Sequence, residues 1–241
     1  LVNEARLGAR LEHPNVVGTY DLGEKDGVFF MGMELVQGAA VSQLLSAGPL
    51  PPAVVVDIGI QVSRGLAHIH QSRLDGVTSG LVHRDIKPAN LLVDRTGLVK
   101  IADLGISSLG TAGAISGTPG FMAPEQVIAG RAQDRRADLF ALGVTLGLLA
   151  TGIRPFGTGH AAVAAVQGVE ASLQPWTDRV ESAVPGLGEI VARCLRFDPA
   201  ERWASAEELG VALRKIRSMQ SGGMGLRQLL IQLRPDLEDP P

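Results

Sequence analysis

One short loop in this chain carries residue types that suit phosphoryl transfer. Residues 81–92 read Leu-Val-His-Arg-Asp-Ile-Lys-Pro-Ala-Asn-Leu-Leu, which places a carboxylate at Asp85, an ammonium at Lys87 and an amide at Asn90. A carboxylate can orient an attacking hydroxyl and accept its proton. A lysine can meet a phosphate oxygen, and an amide oxygen can hold a metal ion. The spacing therefore predicts a phosphoryl-transfer site around Asp85.

A second acidic residue follows what reads as a short β-hairpin. Residues 91–94 and 98–101 predict two strands joined by the turn Asp-Arg-Thr-Gly, and Asp103 comes next in Ala-Asp-Leu-Gly. Carboxylate oxygens are ligands that Mg²⁺ prefers. Asp-Leu-Gly alone is also an ordinary turn. The prediction that Asp103 binds metal therefore depends on the loop around Asp85.

Together these motifs resemble those of eukaryotic-like, bacterial-type serine/threonine protein kinases, with Leu104 where the family has Phe. Residues 117–125, Gly-Thr-Pro-Gly-Phe-Met-Ala-Pro-Glu, are similar to the end of the kinase activation segment. The resemblance implies the α+β protein-kinase fold, with an incomplete small N-lobe (a helix plus about two strands) and a mostly helical C-lobe. It also implies transfer of the γ-phosphoryl group of ATP to serine or threonine hydroxyls of proteins. The expected metal is Mg²⁺, with Mn²⁺ as an alternative.

The resemblance assigns roles in catalysis and in nucleotide binding. Asp85, Lys87 and Asn90 are the expected catalytic residues, and Asn90 and Asp103 the expected metal ligands. Residues 31–36 resemble the hinge between kinase lobes, with Met33 at the gatekeeper position. The residues expected at the nucleotide are Glu34, Val36, Leu92, Lys87 and Asp103.

Other matched positions imply structural or regulatory roles. Glu4 matches the glutamate that pairs with the ATP-binding lysine of the family. His83 is expected to pack against Leu104, and Arg84 to receive a phosphate from the activation segment. Among the candidate phosphoacceptors we favour Thr111.

Four further residues are expected to build the substrate platform and its support. Thr118 is expected to line the protein-substrate site near Asp85. Glu125 and Arg202 are expected to form a buried bidentate ion pair. Asp138 is expected to brace the catalytic loop backbone, and it also reads as a helix N-cap.

Hydrophobic periodicity predicts the elements that position these residues. Apolar residues recur every three or four positions from Val54 to Ile69, which indicates a helix with one buried face. Two strands are predicted at 16–22 and 28–35, after a helix over 1–11. Gly38 is expected to open a linker. Further helices are predicted near 138–150, 159–167, 188–197 and 206–217.

The resemblance implies one kinase domain over residues 1–217, without the Gly-rich loop and the lysine strand. Its expected parts are a partial N-lobe at 1–35, a hinge at 36–38 and a C-lobe at 39–217. Residues 218–241 are expected to form a C-terminal tail or linker that contains a short helix.

Composition argues against several classes of protein. The formal net charge of −3 predicts no general attraction to nucleic acid. The most apolar run, residues 139–150, is too short for a transmembrane helix and suits a buried core helix. The single cysteine, Cys194, excludes an internal disulfide and is expected to be a buried, unreactive side chain. We therefore expect a cytoplasmic protein, whose oligomeric state the sequence leaves open.

The printed sequence has no Gly-x-Gly-x-x-Gly loop and no lysine strand ahead of Glu4. Two explanations stay open: a piece of a longer active kinase, or a pseudokinase that works as a binding scaffold. The presence of Asp85, Lys87, Asn90 and Asp103 favours the first explanation. The chain as printed is expected to have weak or no kinase activity. It is also expected to expose an apolar patch made of Val16, Val17, Val28, Phe29 and Phe30.

Overall fold

The computed structural model describes most of the chain. The described residues are 12–25, 28–72, 81–104, 117–128, 130–157, 173–220 and 222–238. The predicted helix over 1–11 with Glu4, the helical pattern at 159–167 and the phosphoacceptor candidate Thr111 lie outside these residues.

Two antiparallel strands form the first part of the fold. Strand β1 is Thr19–Lys25 and strand β2 is Val28–Met33, paired so that Lys25 lies opposite Val28. The preceding segment, predicted as strand from Val16, instead makes a parallel bridge to Ile101, and its Val17 N–H donates to the Ile101 carbonyl at 2.9 Å. Both valines are buried. The expected apolar patch is therefore wrong for them, while Phe30 is 51% exposed.

A second, three-stranded sheet lies beside the predicted catalytic loop. Strands β3 (Gly38–Ala40), β4 (Leu91–Asp94) and β5 (Val99–Ile101) are antiparallel in the order β3-β4-β5. The hairpin of β4 and β5 is confirmed. The expected linker at Gly38 is wrong, because this residue begins β3. A side chain at 38 would lie only 1.8 Å from the Val93 carbonyl oxygen, so glycine is required for the strands to approach.

Helices make up most of the remaining fold. The described helices are α1 Val41–Leu45, α2 Pro52–Gln71, α3 Pro124–Val127, α4 Arg136–Thr151, α5 Gln174–Ala183, α6 Leu187–Cys194, α7 Ala206–Met219 and α8 Leu226–Leu233. Short 3₁₀ turns occupy Pro88–Asn90, Pro199–Glu201 and Pro235–Leu237. Among the described residues, no helix combines the length and the apolar character that crossing a lipid bilayer requires.

Helix α4 is the centre of the helical core. Every residue from Ala137 to Ala150 is buried, as the apolar run predicts. The helix ends at Gly152, whose φ of 72° is the left-handed conformation that glycine adopts at low cost. Cys194 packs against Gly143, and burial raises the pKa of its thiol to about 12. This cysteine is therefore a structural side chain, as expected.

The C-terminal segment is packed onto the helical core. Leu226, Leu229 and Leu230 of α8 are buried, and the helix contacts α1 and α2. The backbone of Arg227 approaches Gly97 in the turn between β4 and β5. The predicted short helix is confirmed, and it is docked against the domain.

Candidate active site

A buried carboxylate holds the backbone of the loop around Asp85. Asp138 lies in the first turn of α4, and its oxygens accept hydrogen bonds from His83 N–H at 2.9 Å and Arg84 N–H at 2.7 Å. His70 Nε2 of α2 lies 2.8 Å from the same carboxylate. The Asp138 side chain makes no cap, because Arg135 occupies the N-cap position, so the helix-cap interpretation is wrong. Asp138 braces two consecutive amides of the loop.

Ionisation of Asp138 is maintained despite its complete burial. Burial alone would raise the pKa of this carboxyl, but the hydrogen bond and the charge of His70, with the contacts to His83, outweigh it. The pKa of Asp138 therefore lies below its usual value. The loop is fixed by a negative charge that receives three hydrogen bonds.

His83 links this loop to the backbone next to Asp103. Its Nε2 lies 3.0 Å from the Ala102 carbonyl oxygen, and its Nδ1 accepts from the Asp85 N–H at 3.3 Å. Burial lowers the pKa of His83, so the ring is neutral with its proton on Nε2. One neutral histidine thereby connects the loop that carries Asp85 to the segment that carries Asp103. Leu104, its expected packing partner, is half-buried against the core.

Two residues of the site adopt an uncommon backbone conformation. Arg84 has φ of 70° and Asp103 has φ of 54°, and within the described ranges no other non-glycine residue has a positive φ. Such conformations cost free energy and persist only where surrounding contacts impose them. Hydrogen bonds hold the backbone at both places: the Arg84 N–H donates to Asp138, and the Ala102 carbonyl, next to Asp103, accepts from His83.

The Asp85 carboxylate is surrounded by donors. Lys87 Nζ donates to Oδ2 at 2.6 Å, Asn90 Nδ2 donates to Oδ2 at 3.0 Å, and Thr118 Oγ1 donates to Oδ1 at 2.6 Å. Burial alone would raise the pKa of Asp85, but the hydrogen bonds from Lys87, Thr118 and Asn90 outweigh it. This pKa therefore lies below its usual value. Asp85 is ionised at neutral pH and can only accept hydrogen bonds.

Thr118 joins the segment after residue 116 to this carboxylate. Its hydroxyl also accepts from Lys87 Nζ at 2.7 Å. The neighbouring Gly117 has φ of 126° and lies against the Arg84 carbonyl, which accepts from Gln126 Nε2 at 3.1 Å. The Thr118 hydroxyl thus donates to Asp85, in the way that the hydroxyl of a phosphoryl-accepting serine or threonine would. Of the predicted site residues, the structure brings Asp85, Lys87, Asn90 and Thr118 into one network.

Asn90 and Asp103 present oxygens that suit a divalent cation. Asn90 uses its side-chain N–H groups on Asp85, which leaves its amide oxygen without a partner among the described residues. Its backbone carbonyl accepts from Ala102 N–H at 2.9 Å, so Asp103 follows directly after a residue bonded to Asn90. The Asp103 side chain is exposed and has no hydrogen bond within the described part of the chain. Two such oxygens fit Mg²⁺, which completes its shell with waters and phosphates.

The predicted hinge has a partner that the sequence did not suggest. The Glu34 carboxylate pairs with Lys100 of β5 at 2.9 Å and accepts from Gly18 N–H at 3.1 Å. Burial alone would raise the pKa of Glu34, but the contacts with Lys100 and the Gly18 N–H outweigh it. The pKa of Glu34 therefore lies below its usual value. The Glu34 N–H donates to the Gly18 carbonyl at 2.8 Å. The backbone carbonyl of Glu34 has no hydrogen-bond partner among the described residues and is available to a ligand.

Leu92 lies on the same face of the second sheet as Lys100. The register pairs Leu92 with Ala40 on one side and with Lys100 on the other. Leu92 is half-buried, whereas Leu91 and Val93 point into the core on the opposite face. Across the hinge, the Val36 amide has no backbone partner among the described residues. Leu92 and Val36 are therefore both available to a ligand beside the hinge.

Glu125 and Arg202 form the bidentate ion pair. The two N–O distances are 2.7 and 2.8 Å, and both side chains are buried. The remaining Arg202 donors bond backbone carbonyls: Arg196, Arg136 and Phe197 accept from it. All five N–H groups of this guanidinium have acceptors, so the desolvation cost of the buried charge is offset.

Two side-chain contacts near the candidate site could not be predicted from the sequence. His70 is 68 positions from Asp138, and Lys100 is 66 positions from Glu34. His70 lies on the helix predicted from Val54 to Ile69, one residue beyond its apolar stripe. No local pattern links either residue to its partner, because long-range pairing depends on how the elements pack.

Comparison with known proteins agrees with this geometry. A family model described as protein kinase domain matches residues 1–211. The serine/threonine-protein kinase PknL of Mycobacterium tuberculosis is 38% identical over 221 residues, which cover 88% of this chain and 53% of PknL. The serine/threonine-protein kinase PrkC of Bacillus subtilis is 34% identical over 214 residues, which cover 86% of this chain and 32% of PrkC. The chain thus spans about half of PknL and a third of PrkC.

A solved structure shows the same fold. The crystal structure of the PknI kinase domain of Mycobacterium tuberculosis matches with a TM-score of 0.67 and 30% sequence identity. The match covers 89% of this chain and 76% of the PknI chain. The family model covers most of the sequence, PknL shares sequence with this chain, and the PknI kinase domain shares its fold. The chain therefore belongs to the protein kinase domain family.

Proposed function

We propose that this domain transfers the γ-phosphoryl group of ATP to serine or threonine hydroxyls of proteins. The observation that carries the proposal is the ionised Asp85 carboxylate, held by Lys87, Asn90 and Thr118 within 3.0 Å. Family membership supports ATP and a divalent metal as cofactors in general. The choice of Mg²⁺, with Mn²⁺ as the alternative, is part of the proposal.

Asp85 would orient the acceptor hydroxyl. An ionised carboxylate accepts the hydroxyl proton in a hydrogen bond and directs the oxygen lone pair away from itself. Because the pKa of Asp85 is lowered, it is a weak base. It takes the proton only as the new oxygen–phosphorus bond forms, which suits a loose transition state. Orientation is therefore its larger contribution.

Lys87 and Asn90 would complete the reacting centre. Lys87 Nζ lies between Asp85 and the Thr118 hydroxyl, so its charge is placed where a transferring phosphoryl group needs neutralisation. Asn90 and Asp103 would hold the metal, which would neutralise charge on the phosphate oxygens. Glu34, Val36 and Leu92 would bind the nucleotide base beside the hinge.

The proposal includes a division of the chain and a location. Residues 1–35 would form the N-lobe part, 36–38 the hinge and 39–217 the C-lobe. ATP and a single buried thiol suit a reducing compartment, and we assign the domain to the cytoplasm. The macromolecular partner would be a protein that presents a serine or threonine. The names of PknL and PrkC support this acceptor class.

Identification of the phosphorylated residue tests the proposal. The gene product that carries this chain would be incubated with γ-labelled ATP, a generic protein substrate and either Mg²⁺ or Mn²⁺. We expect label on phosphoserine and phosphothreonine. Label on phosphotyrosine would contradict the acceptor class, and metal-dependent ATP binding without transfer would support a binding scaffold instead.

A further inference from the structure

A cleft on the helical lobe lies between α2 and α7, beside the segment that precedes β1. This cleft, called here the rear cleft, has a volume of about 320 Å³. Its polar lining includes His13, Ser63, Arg64, His68, Glu207 and Arg214. None of these residues belongs to the network around Asp85. The volume is large enough for a phosphate group with a small organic substituent.

Two arginines at the rear cleft have charges that the described part of the chain does not neutralise. Arg64 of α2 and Arg214 of α7 are exposed, and within that part neither forms a hydrogen bond or an ion pair. Elsewhere on the same helices, Arg217 pairs with Asp57 at 2.8 Å. Guanidinium groups bind phosphate and carboxylate through two parallel hydrogen bonds.

Two residues that line the rear cleft each have a buried polar atom with no hydrogen-bond partner among the described residues. One is the Oγ of Ser63, a residue that is 1% exposed. The other is His68 Nε2. Gly210 lies against both the Ser63 side chain and the guanidinium of Arg214, so the Ser63 hydroxyl and this guanidinium are close together. A buried hydroxyl without a partner costs free energy, which a bound acceptor would recover.

The remaining histidine adds another donor. His13 stacks on His68 with ring centroids 5.0 Å apart, and its Nδ1 accepts from the Asn15 N–H at 3.0 Å. Burial lowers the pKa of His13, as do the neighbouring His68, Arg64 and Lys100. The neutral ring therefore carries its proton on Nε2. The lining is rich in donors, and a ligand there needs acceptor oxygens.

The carboxylate of Glu207, the acidic residue of the rear cleft, already has a hydrogen-bond partner. Glu207 accepts from Gln71 Nε2. Burial alone would raise the pKa of Glu207, but hydrogen bonds from its own backbone N–H, from Ser205 and from Gln71 outweigh it. The pKa of Glu207 therefore lies below its usual value. The rear cleft is therefore lined by one carboxylate, two guanidinium groups, a hydroxyl and two imidazoles. The balance of charge and of donors favours an anion.

We propose that the rear cleft is a binding site for a phosphate monoester. Arg64 of α2 and Arg214 of α7 bind the phosphate oxygens. Ser63 Oγ–H and a histidine N–H donate hydrogen bonds to the same phosphate group. The same chemistry is presented by a free phosphometabolite and by a phosphoserine in a peptide. Occupation of the site would join α2 to α7 through one ligand.

Calorimetric titration of the full chain with O-phosphoserine tests the proposal. We expect saturable binding that Arg64→Gln and Arg214→Gln each weaken about tenfold or more, because each removes a charge-assisted contact. Ser63→Ala should weaken binding less. Arg179→Gln, which removes an exposed arginine of α5, is the matched control and should leave binding unchanged.

Three probes separate the sources of the ligand. Inorganic phosphate, O-phosphoserine and a phosphoserine peptide are compared with the unphosphorylated peptide. Tighter binding of the phosphopeptide than of O-phosphoserine indicates a peptide ligand, and equal binding of these two, both tighter than inorganic phosphate, indicates a small phosphometabolite. Absence of saturable phosphate binding, or equal loss in Arg179→Gln and Arg64→Gln, would overturn the proposal. Circular dichroism and the melting temperature verify that each variant is folded.

Discussion

At the scale of residues, the proposed chemistry depends on one carboxylate, Asp85, and its three donors. Asp85, Lys87 and Asn90 lie within six positions of one another, so their proximity could be predicted from the loop alone. Thr118 is 33 positions away from Asp85, and its place followed only from the family resemblance. The support from His70 could not be predicted, because that pairing depends on how α2 packs against α4.

The hydroxyl of Thr118 provides a test of this network. Thr118→Ala removes a hydrogen bond to a charged carboxylate, which is worth a factor of about ten or more. We expect kcat to fall by at least that factor, while Thr118→Ser restores most of it. A Thr118→Ala enzyme with unchanged kcat would show that the hydroxyl does not position Asp85.

The Glu125–Arg202 pair should be important for stability. Glu125→Ala leaves a buried guanidinium without its carboxylate, and we expect the free energy of unfolding to fall by about 3–5 kcal/mol. Urea denaturation measures this loss. Arg234→Ala breaks the exposed pair with Asp236 and is the matched control, for which we expect no measurable change. Equal effects of the two substitutions would contradict the buried-pair account.

At the scale of elements, long apolar patterns were predictable and short or polar elements were not. The stripe from Val54 to Ile69 predicts α2, and the run 139–150 predicts α4. Helix α1 has five residues, and α5 carries mostly polar ones, so neither has a clear period. Strand β3 was not predicted, because its pairing with β4 joins segments that are more than fifty positions apart in the sequence.

The burial of His83, between the Asp85 loop and the segment after β5, predicts a dependence of stability on pH. His83 has a pKa lowered from 6.5 by burial, so the unfolded chain binds its proton more readily than the folded one. The contribution of the neutral His83 to the free energy of unfolding is therefore fully present above pH 6.5 and is lost as the pH falls below it. Urea titrations between neutral and mildly acid pH measure this slope.

The variant His83→Gln should reduce that slope. His13 also has a lowered pKa, so part of the dependence should remain. A slope that is the same in the wild type and in His83→Gln would contradict a neutral, buried His83.

Helix α8 should stabilise the domain to which it is docked. Leu230 is fully buried, and Leu230→Ala should lower the free energy of unfolding by about 2–5 kcal/mol. Val211 of α7 is 59% exposed, and Val211→Ala should change stability by less than about 0.5 kcal/mol. If Leu230→Ala were as mild as its control, α8 would be a loosely attached tail.

At the scale of the whole molecule, the site lies where a two-stranded hairpin, a small sheet and a helical core meet. Asp138 of α4 fixes the Asp85 loop, and His83 connects that loop to the segment after β5. Lys100 of β5 connects the sheet to the segment predicted as the hinge, through Glu34. The sequence predicted the two classes of element, and packing determined these cross-links.

The most direct test of the account is the rate of phosphoryl transfer by Asp85→Asn. The amide keeps the size of the side chain but cannot accept the hydroxyl proton. We expect kcat of the gene product that carries this chain to fall by about 10²–10⁴-fold. Asp178→Asn, which changes an exposed carboxylate of α5, should retain wild-type kcat. Full activity of Asp85→Asn would contradict the assignment of Asp85 as the residue that orients and deprotonates the acceptor.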